Sequence, residues 1–136
     1  MITQIMNTKV EKQNILVADD DEMLTQLIEH ILDQAGYDVT SVGDGEHALE
    51  YAIRDKPDLI ILDGMMPGMD GVEVLRQMKA NSETRNIPIV MLTARGMERN
   101  IVGALEMGAD EYIVKPFMPG ELTARISRLL DGTRSS

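Results

Sequence analysis

The chain has 136 residues, no cysteine and a formal net charge of −10. One domain of that length buries a core without staples, and the missing cysteines exclude a disulfide framework or a thiolate metal site. The acidic balance argues against general affinity for a nucleic acid backbone. No apolar run approaches membrane-spanning length and the N-terminus lacks a secretory pattern, so the expectation is a cytoplasmic protein without membrane contact. Eleven methionines and one phenylalanine suggest a core filled with adaptable side chains.

Residues 1–13 are mixed and polar and read as a flexible lead-in. Asn14-Ile15-Leu16-Val17-Ala18 is a short buried strand that stops at Asp19-Asp20-Asp21-Glu22. Met23, Leu24, Leu27, Ile28, Ile31, Leu32 and Ala35 then recur at helical spacing, with Asp20 or Asp21 as cap and Gly36 at the exit. Residues 37–42 alternate as a second strand, at an edge of the sheet. Asp44-Gly45 turns the chain, and Ala48, Leu49, Ala52 and Ile53 mark a helix that ends before Pro57.

Residues 58–62 form the third strand, four of them apolar in a row, and it stops abruptly at Asp63 and a Gly- and Pro-containing loop. Asp70-Gly71-Val72-Glu73 has the form of a capping box opening a helix to about Lys79. A fourth strand over 87–92 ends at Thr93. Met97, Ile101, Ala104 and Leu105 give a helix closed by Gly108. A fifth strand over 112–114 ends at Lys115-Pro116, and Pro119 starts a last helix with Leu122, Ile126, Leu129 and Leu130 inward. Residues 14–131 make one domain, and 132–136 read as a tail or linker.

This fivefold strand–helix alternation calls for an α/β fold, a doubly wound parallel sheet with right-handed crossovers. Parallel strands end on one edge of the sheet, where such folds bind ligands. Asp19, Asp20, Asp63, Thr93 and Lys115 all sit at those ends. Two carboxylates about 4 Å apart repel by roughly 4 kcal/mol at an effective dielectric near 20. Such a cluster protonates or recruits a cation, and an all-oxygen ligand set without His or Cys suits Mg²⁺. A carboxylate beside Mg²⁺, a hydroxyl and a lysine is an arrangement for phosphoryl transfer, with aspartate as nucleophile.

Four motifs carry a resemblance: Ile15-Leu16-Val17-Ala18-Asp19-Asp20-Asp21, Leu62-Asp63-Gly64-Met65-Met66-Pro67-Gly68-Met69-Asp70-Gly71, Met91-Leu92-Thr93-Ala94, and Tyr112-Ile113-Val114-Lys115-Pro116-Phe117. In this order and spacing they resemble the receiver domain of two-component response regulators, like the chemotaxis response regulator. The resemblance covers residues 14 to about 131. It implies a flavodoxin-like five-stranded parallel sheet of order 2-1-3-4-5. It also implies that Asp63 accepts a phosphoryl group from a phosphohistidine on a histidine kinase or phosphotransferase. Asp20, Asp63 and the Met65 backbone carbonyl would ligate Mg²⁺ (or Mn²⁺), with Asp19 acting largely through water. Lys115, followed by a cis bond to Pro116, would pair with Asp63 or the phosphate. Thr93 and Tyr112 would be the switch residues, Tyr112 swinging inward as Thr93 moves to the phosphoryl group. Met65 and Arg95, two residues after the acceptor and the switch threonine, would tune the lifetime of the phosphoryl group. The expected protein is a signalling switch and not an enzyme acting on a separate substrate. Its downstream protein, or a second copy, would dock on the face over 97–130, without direct nucleic acid binding by this domain.

Blander roles stand beside these. Asp21 serves as a helix cap alone, His30 and His47 are surface residues, and Arg95, Arg99 and Arg125 are solvated charges or part of a partner face. Two alternatives compete. One is the input domain of a larger regulator with a DNA-binding or enzymatic output domain. The more distant one is an aspartyl phosphatase of the haloacid-dehalogenase kind. Against the latter, the Thr or Val expected two residues after the second Asp is Leu or Met, and a cap insertion is missing.

Overall fold

The computed structural model describes residues 12–66, 68–94 and 99–134. Strands and helices alternate: β1 Asn14–Ala18, α1 Glu22–Gln34, β2 Asp38–Val42, α2 Gly45–Asp55, β3 Leu59–Asp63, α3 Gly71–Ala80, β4 Ile89–Ala94, α4 Arg99–Glu106, β5 Glu111–Lys115 and α5 Pro119–Arg134. All neighbouring strands pair in parallel, in the order β2-β1-β3-β4-β5, so the flavodoxin-like sheet is the observed fold.

Because β3 is central and covered on both faces, it reads as a continuous apolar run, and Leu59 to Leu62 are wholly buried. Alternate residues serve opposite faces. Leu16, Ile60, Leu62 and Met91 pack under α2, α3 and α4, against Ala48, Val74, Leu75, Met78 and Ala104. Ile15, Val17, Ile61, Leu92 and Ile113 pack under α1 and α5, against Ile28, Leu32, Leu122 and Ile126. Each fully buried aliphatic side chain contributes roughly 1.5–3 kcal/mol relative to exposure.

Several details differ from the sequence reading. The core is built from Ile, Leu and Val: Met66, Met78 and Met91 are buried, whereas Met23, Met65 and Met118 are exposed. Branched side chains fit both faces of a parallel sheet, so they supply most of the core and these methionines only part of it. The apolar stripe of α1 is wider than its buried face, with Leu27 half-exposed. Strand β4 begins at Ile89, two residues late, and runs through Thr93 to Ala94. Pro88 has no N–H for the ladder, although its carbonyl accepts from the Ile60 N–H at 3.0 Å.

Asp21 caps α1, accepting the Leu24 N–H at 3.1 Å. Half of the expected capping box forms on α3. Asp70 accepts the Glu73 N–H at 2.9 Å, but Glu73 turns forward to Arg76 and Gln77. A bidentate guanidinium is a stronger partner for a carboxylate than one backbone N–H. At the ends, Gln13 accepts from the Asp38 N–H at 3.0 Å through its backbone carbonyl. Helix α5 continues to Arg134, into the segment read as a tail. The periodic apolar face stops at Leu130, but backbone hydrogen bonding carries a helix beyond it.

Candidate functional site

Strands β1 and β3 are neighbours, which sets Asp19 and Asp63 side by side at the carboxyl edge. Both are buried, at 2% and 4% exposure, while Asp20 lies exposed on the rim. The three offer carboxylate oxygens within 4.8 Å of one another. Lys115, at the end of β5, reaches across to both buried carboxylates, with Nζ 3.3 Å from Asp19 Oδ2 and 3.4 Å from Asp63 Oδ1. Backbone N–H groups fix the carboxylates: Asp21 donates to Asp19 Oδ1 at 2.9 Å and Met65 to Asp63 Oδ1 at 3.1 Å. These groups border a cleft of about 270 Å³, whose far wall is apolar, with Val72, Met91 and Ala104.

Burial pushes the Asp63 carboxyl above its ordinary pKa and Asp19 adds to it, against the opposing pull of the Met65 N–H and of Lys115. Burial works against the Lys115 ammonium, but the charges of Asp63 and Asp19 outweigh it and raise its pKa. One ammonium among three carboxylates leaves an excess of negative charge. The donors are all hard oxygens on a partly open cleft. That set fits a hydrated Mg²⁺ or Mn²⁺, which takes a few carboxylates and keeps waters.

Thr93 is half-buried on the cleft wall, its hydroxyl donating a long 3.5 Å contact to the Ala94 carbonyl. Thr93 and Val114 are register partners, as are Met91 and Tyr112. By alternation, Thr93 and Tyr112 therefore share the face that carries Met91, under α4. Tyr112 is 37% exposed. Met65 is exposed beside the cleft, and the Lys115–Pro116 bond is cis. Arg95, like Met97 at the expected start of α4, lies outside the described residues. His30 is exposed, and His47 is exposed and paired with Asp44 at 2.7 Å.

Two features escaped the sequence reading. Glu111 is an ion-pair hub, 2.6 Å from Arg125 and 2.5 Å from Arg128, fastening β5 to α5. Arg125 also reaches Glu121 at 3.5 Å. The pairs span unrelated sequence separations, so no local pattern announces them. The second is the close seating of Gly45 and Gly71, signalled only by the Asp-Gly pairs in which each follows a helix cap.

A doubly wound sheet with an acidic, lysine-bridged cleft at its carboxyl edge defines a flavodoxin-like domain with a candidate cation site at its strand ends. The family model for the response regulator receiver domain matches residues 15–127, and the chain belongs to that family. It is 46% identical over 118 residues to the alkaline phosphatase synthesis transcriptional regulatory protein PhoP of Bacillus subtilis, covering 87% of this chain and 48% of that protein. It is 43% identical over 121 residues to the phosphate regulon transcriptional regulatory protein PhoB of Pseudomonas aeruginosa, covering 89% and 53%. The chain thus spans about half the length of the curated relatives it matches. Among solved structures, the receiver domain of a sensor histidine kinase from Pseudomonas aeruginosa PAO1, with magnesium coordinated in its active-site cleft, superposes with a TM-score of 0.82. That pair is 33% identical over 89% of this chain and 99% of the other. The chemotaxis response regulator CheY4 of Vibrio cholerae gives a TM-score of 0.82 at 33% identity, covering 88% of this chain and all of its own. Among the described residues no helix is long and apolar enough to cross a membrane.

Proposed function

We propose that this receiver domain is a cytoplasmic phosphorylation switch in which Asp63 is the phosphoacceptor. One Asp63 carboxylate oxygen attacks the phosphorus of a phosphohistidine on a histidine kinase or phosphotransferase. The N–P bond breaks, the imidazole leaves, and an acyl phosphate remains. Asp19, Asp20, Asp63 and the Met65 backbone carbonyl would hold a Mg²⁺ or Mn²⁺ ion. When bound, that ion supplies charge neutralisation for the phosphoryl oxygens. Lys115 balances the charge that develops on those oxygens, and Thr93 donates its hydroxyl to one of them. The burial of Asp63 limits the access of competing water.

The observation that carries this reading is the convergence of Asp63, Asp19 and Lys115 from three strands onto one cleft. Its test is intact mass after acetyl phosphate with Mg²⁺. Wild type is expected to gain one phosphate and Asp63→Asn none; an adduct on both, or on neither, would overturn it. Chemistry on a separate substrate is not part of the reading, since the product stays on the chain.

As Thr93 engages the phosphoryl group, Tyr112, on the same sheet face, moves inward and reshapes the surface over 97–130. That surface meets a downstream protein or a second copy. Light scattering with and without beryllofluoride tests the second copy; unchanged mass counts against it. The match to about half of PhoP and PhoB is equally compatible with the alternative of an input domain in a larger regulator with a DNA-binding output module. DNA contact would then belong to that module. Met65 offers no side-chain hydrogen bond to an attacking water, which gives a long-lived acyl phosphate. A half-life of seconds would refute that expectation.

A further inference from the structure

We propose that Gly71, supported by Gly45, is a positioning residue for Asp63. Both let a helix start directly on the backbone of the loop that carries the acceptor, and this seating aims the carboxylate. The inference rests on Asp63 being the phosphoacceptor.

Neither glycine has a positive φ, in contrast to Gly36, Gly68 and Gly108, so backbone conformation does not demand them. Space does. A Cβ on Gly71 would lie 2.1 Å from the Asp63 carbonyl oxygen, 2.9 Å from its carbon and 3.0 Å from Gly64 Cα. A Cβ on Gly45 would lie 2.1 Å from the Met69 carbonyl oxygen and 2.8 Å from Val74 Cγ2. Since carbon and oxygen rarely approach closer than about 3.3 Å, something must shift by about 1 Å in each case. At Gly71 every obstacle is a backbone atom of the loop; at Gly45 the nearest is backbone and the second is the Val74 side chain, itself wholly buried. By contrast, Gly36, Gly43, Gly103 and Gly120 have nothing within 4 Å.

The two contacts bracket the loop from 63 to 71. Asp63's carbonyl is bonded to the Cα that carries the acceptor side chain. The peptide it belongs to also supplies the Gly64 N–H, which donates to Leu92 at 3.0 Å. Displacing that peptide strains its tie to β4 and moves the Met65 N–H, which holds Asp63 Oδ1 at 3.1 Å. It also changes the distance to Lys115, 3.4 Å away. A displacement of about 1 Å at a reacting group costs on the order of 100-fold in rate. Gly45 acts at the other end, where α2 bears on Met69.

The test uses the full chain with Gly71→Ala, Gly45→Ala and, as a remote control, Leu130→Val, whose site lies in the α1–α5 core. Thermal unfolding is measured for each. The rate of adduct formation is read by intact mass at saturating acetyl phosphate and Mg²⁺, and Mn²⁺ affinity by water proton relaxation. Gly71→Ala is expected to slow the adduct about 100-fold and to weaken Mn²⁺ binding, whereas Leu130→Val, though destabilised, leaves both unchanged. Gly45→Ala shows the same two effects more weakly, and it decides the matter if Gly71→Ala does not fold. Wild-type rate and Mn²⁺ affinity in the glycine variants, or an equal slowing in Leu130→Val, overturns the inference. Absence of an adduct on the wild type would sink the reading of Asp63 instead, and the Mn²⁺ arm would then decide the role of Gly71 alone.

Discussion

Asp63→Asn separates two properties of the cleft, because it removes the proposed acceptor and a buried charge while keeping the side chain's shape. Asparagine Oδ1 still accepts from the Met65 N–H, and Lys115 keeps Asp19 as its partner at 3.3 Å. At an effective dielectric near 20, Lys115 at 3.4 Å attracts the Asp63 carboxylate by about 5 kcal/mol, and a carboxylate no more than 4.8 Å away repels it by about 3.5 kcal/mol at the least. Exposed Asp20 adds a smaller, screened repulsion. The charges thus leave at most about 1–1.5 kcal/mol in favour of ionised Asp63, against a burial cost of several kcal/mol. The metal-free Asn variant is therefore expected to be more stable than wild type at pH 7, by about 1–2 kcal/mol, or several degrees in Tm.

The sign follows from the raised carboxyl pKa of Asp63. Between the unfolded value of 3.8 and the higher folded value, the native state holds a proton that the unfolded chain has lost, so wild-type stability falls as pH rises. Above that window the penalty is complete. Asn should gain nothing below pH 3.8 and its full advantage at neutral pH. Unfolding by urea in EDTA, from acid to neutral pH, measures the difference directly. Added Mg²⁺ should then stabilise wild type more than the variant and erode or reverse the order, since a ligand that binds only the native state stabilises it by mass action. An Asn variant no more stable than wild type at pH 7 in EDTA, or an advantage that persists unchanged in acid, would refute the reasoning.

Thr84 is wholly buried and donates to the Met78 carbonyl at 2.8 Å, closing α3. Thr84→Val should cost about 1–3 kcal/mol in urea unfolding and leave adduct formation on Asp63 intact. Met65→Asn should shorten the lifetime of the adduct, followed by intact mass after removal of acetyl phosphate; an unchanged decay counts against Met65 as a rate-tuning position. The Asp44 carboxylate hydrogen-bonds the His47 ring and raises its pKa above 6.5. The stability from this pair is complete below pH 6.5 and lost as pH rises through the folded-state value. Proton NMR should place the His47 midpoint above 6.5 in wild type and lower in Asp44→Asn.

The sheet was legible because its signals are local. Apolar runs of strand length, each stopped by a polar group and followed by a 3.6-residue period, leave few other folds. The cleft was legible because parallel strands bring their ends to one edge, so Asp19, Asp63, Thr93 and Lys115 needed only their positions at strand ends. What was not legible depends on distances that periodicity does not encode. Whether Met23 and Leu27 pack or face solvent depends on how far α1 wraps the sheet. Whether Glu73 closes its capping box depends on the competing Arg76 three residues on. That Glu111 meets Arg125 and Arg128 depends on how α5 crosses β5. The need for glycine at 45 and 71 arises from helices landing on a loop, and no single-element pattern reveals it.

The way the cleft reaches the distant face follows from which elements hold β4 and β5. Thr93 and Tyr112 lie on one face of these strands, beneath α4. On the other face, α5 is held by Leu122, Ile126 and Leu130 in the core and by the Glu111 ion pairs. Among the described side chains of α4, Ala104 is the one in the core, while Leu105 is 40% exposed. Burying an alanine stabilises far less than burying a leucine or isoleucine, since the hydrophobic gain scales with apolar area. Among the described side chains, α5 thus has the larger buried apolar anchor, and a rearrangement of Thr93 and Tyr112 on the α4 side of the sheet leaves that anchor in place. Hydrogen exchange with and without beryllofluoride should change most in α4 and the start of β5, with smaller changes across 122–130. Larger changes in α5 than in α4 would show that the signal leaves through the ion-pair hub instead.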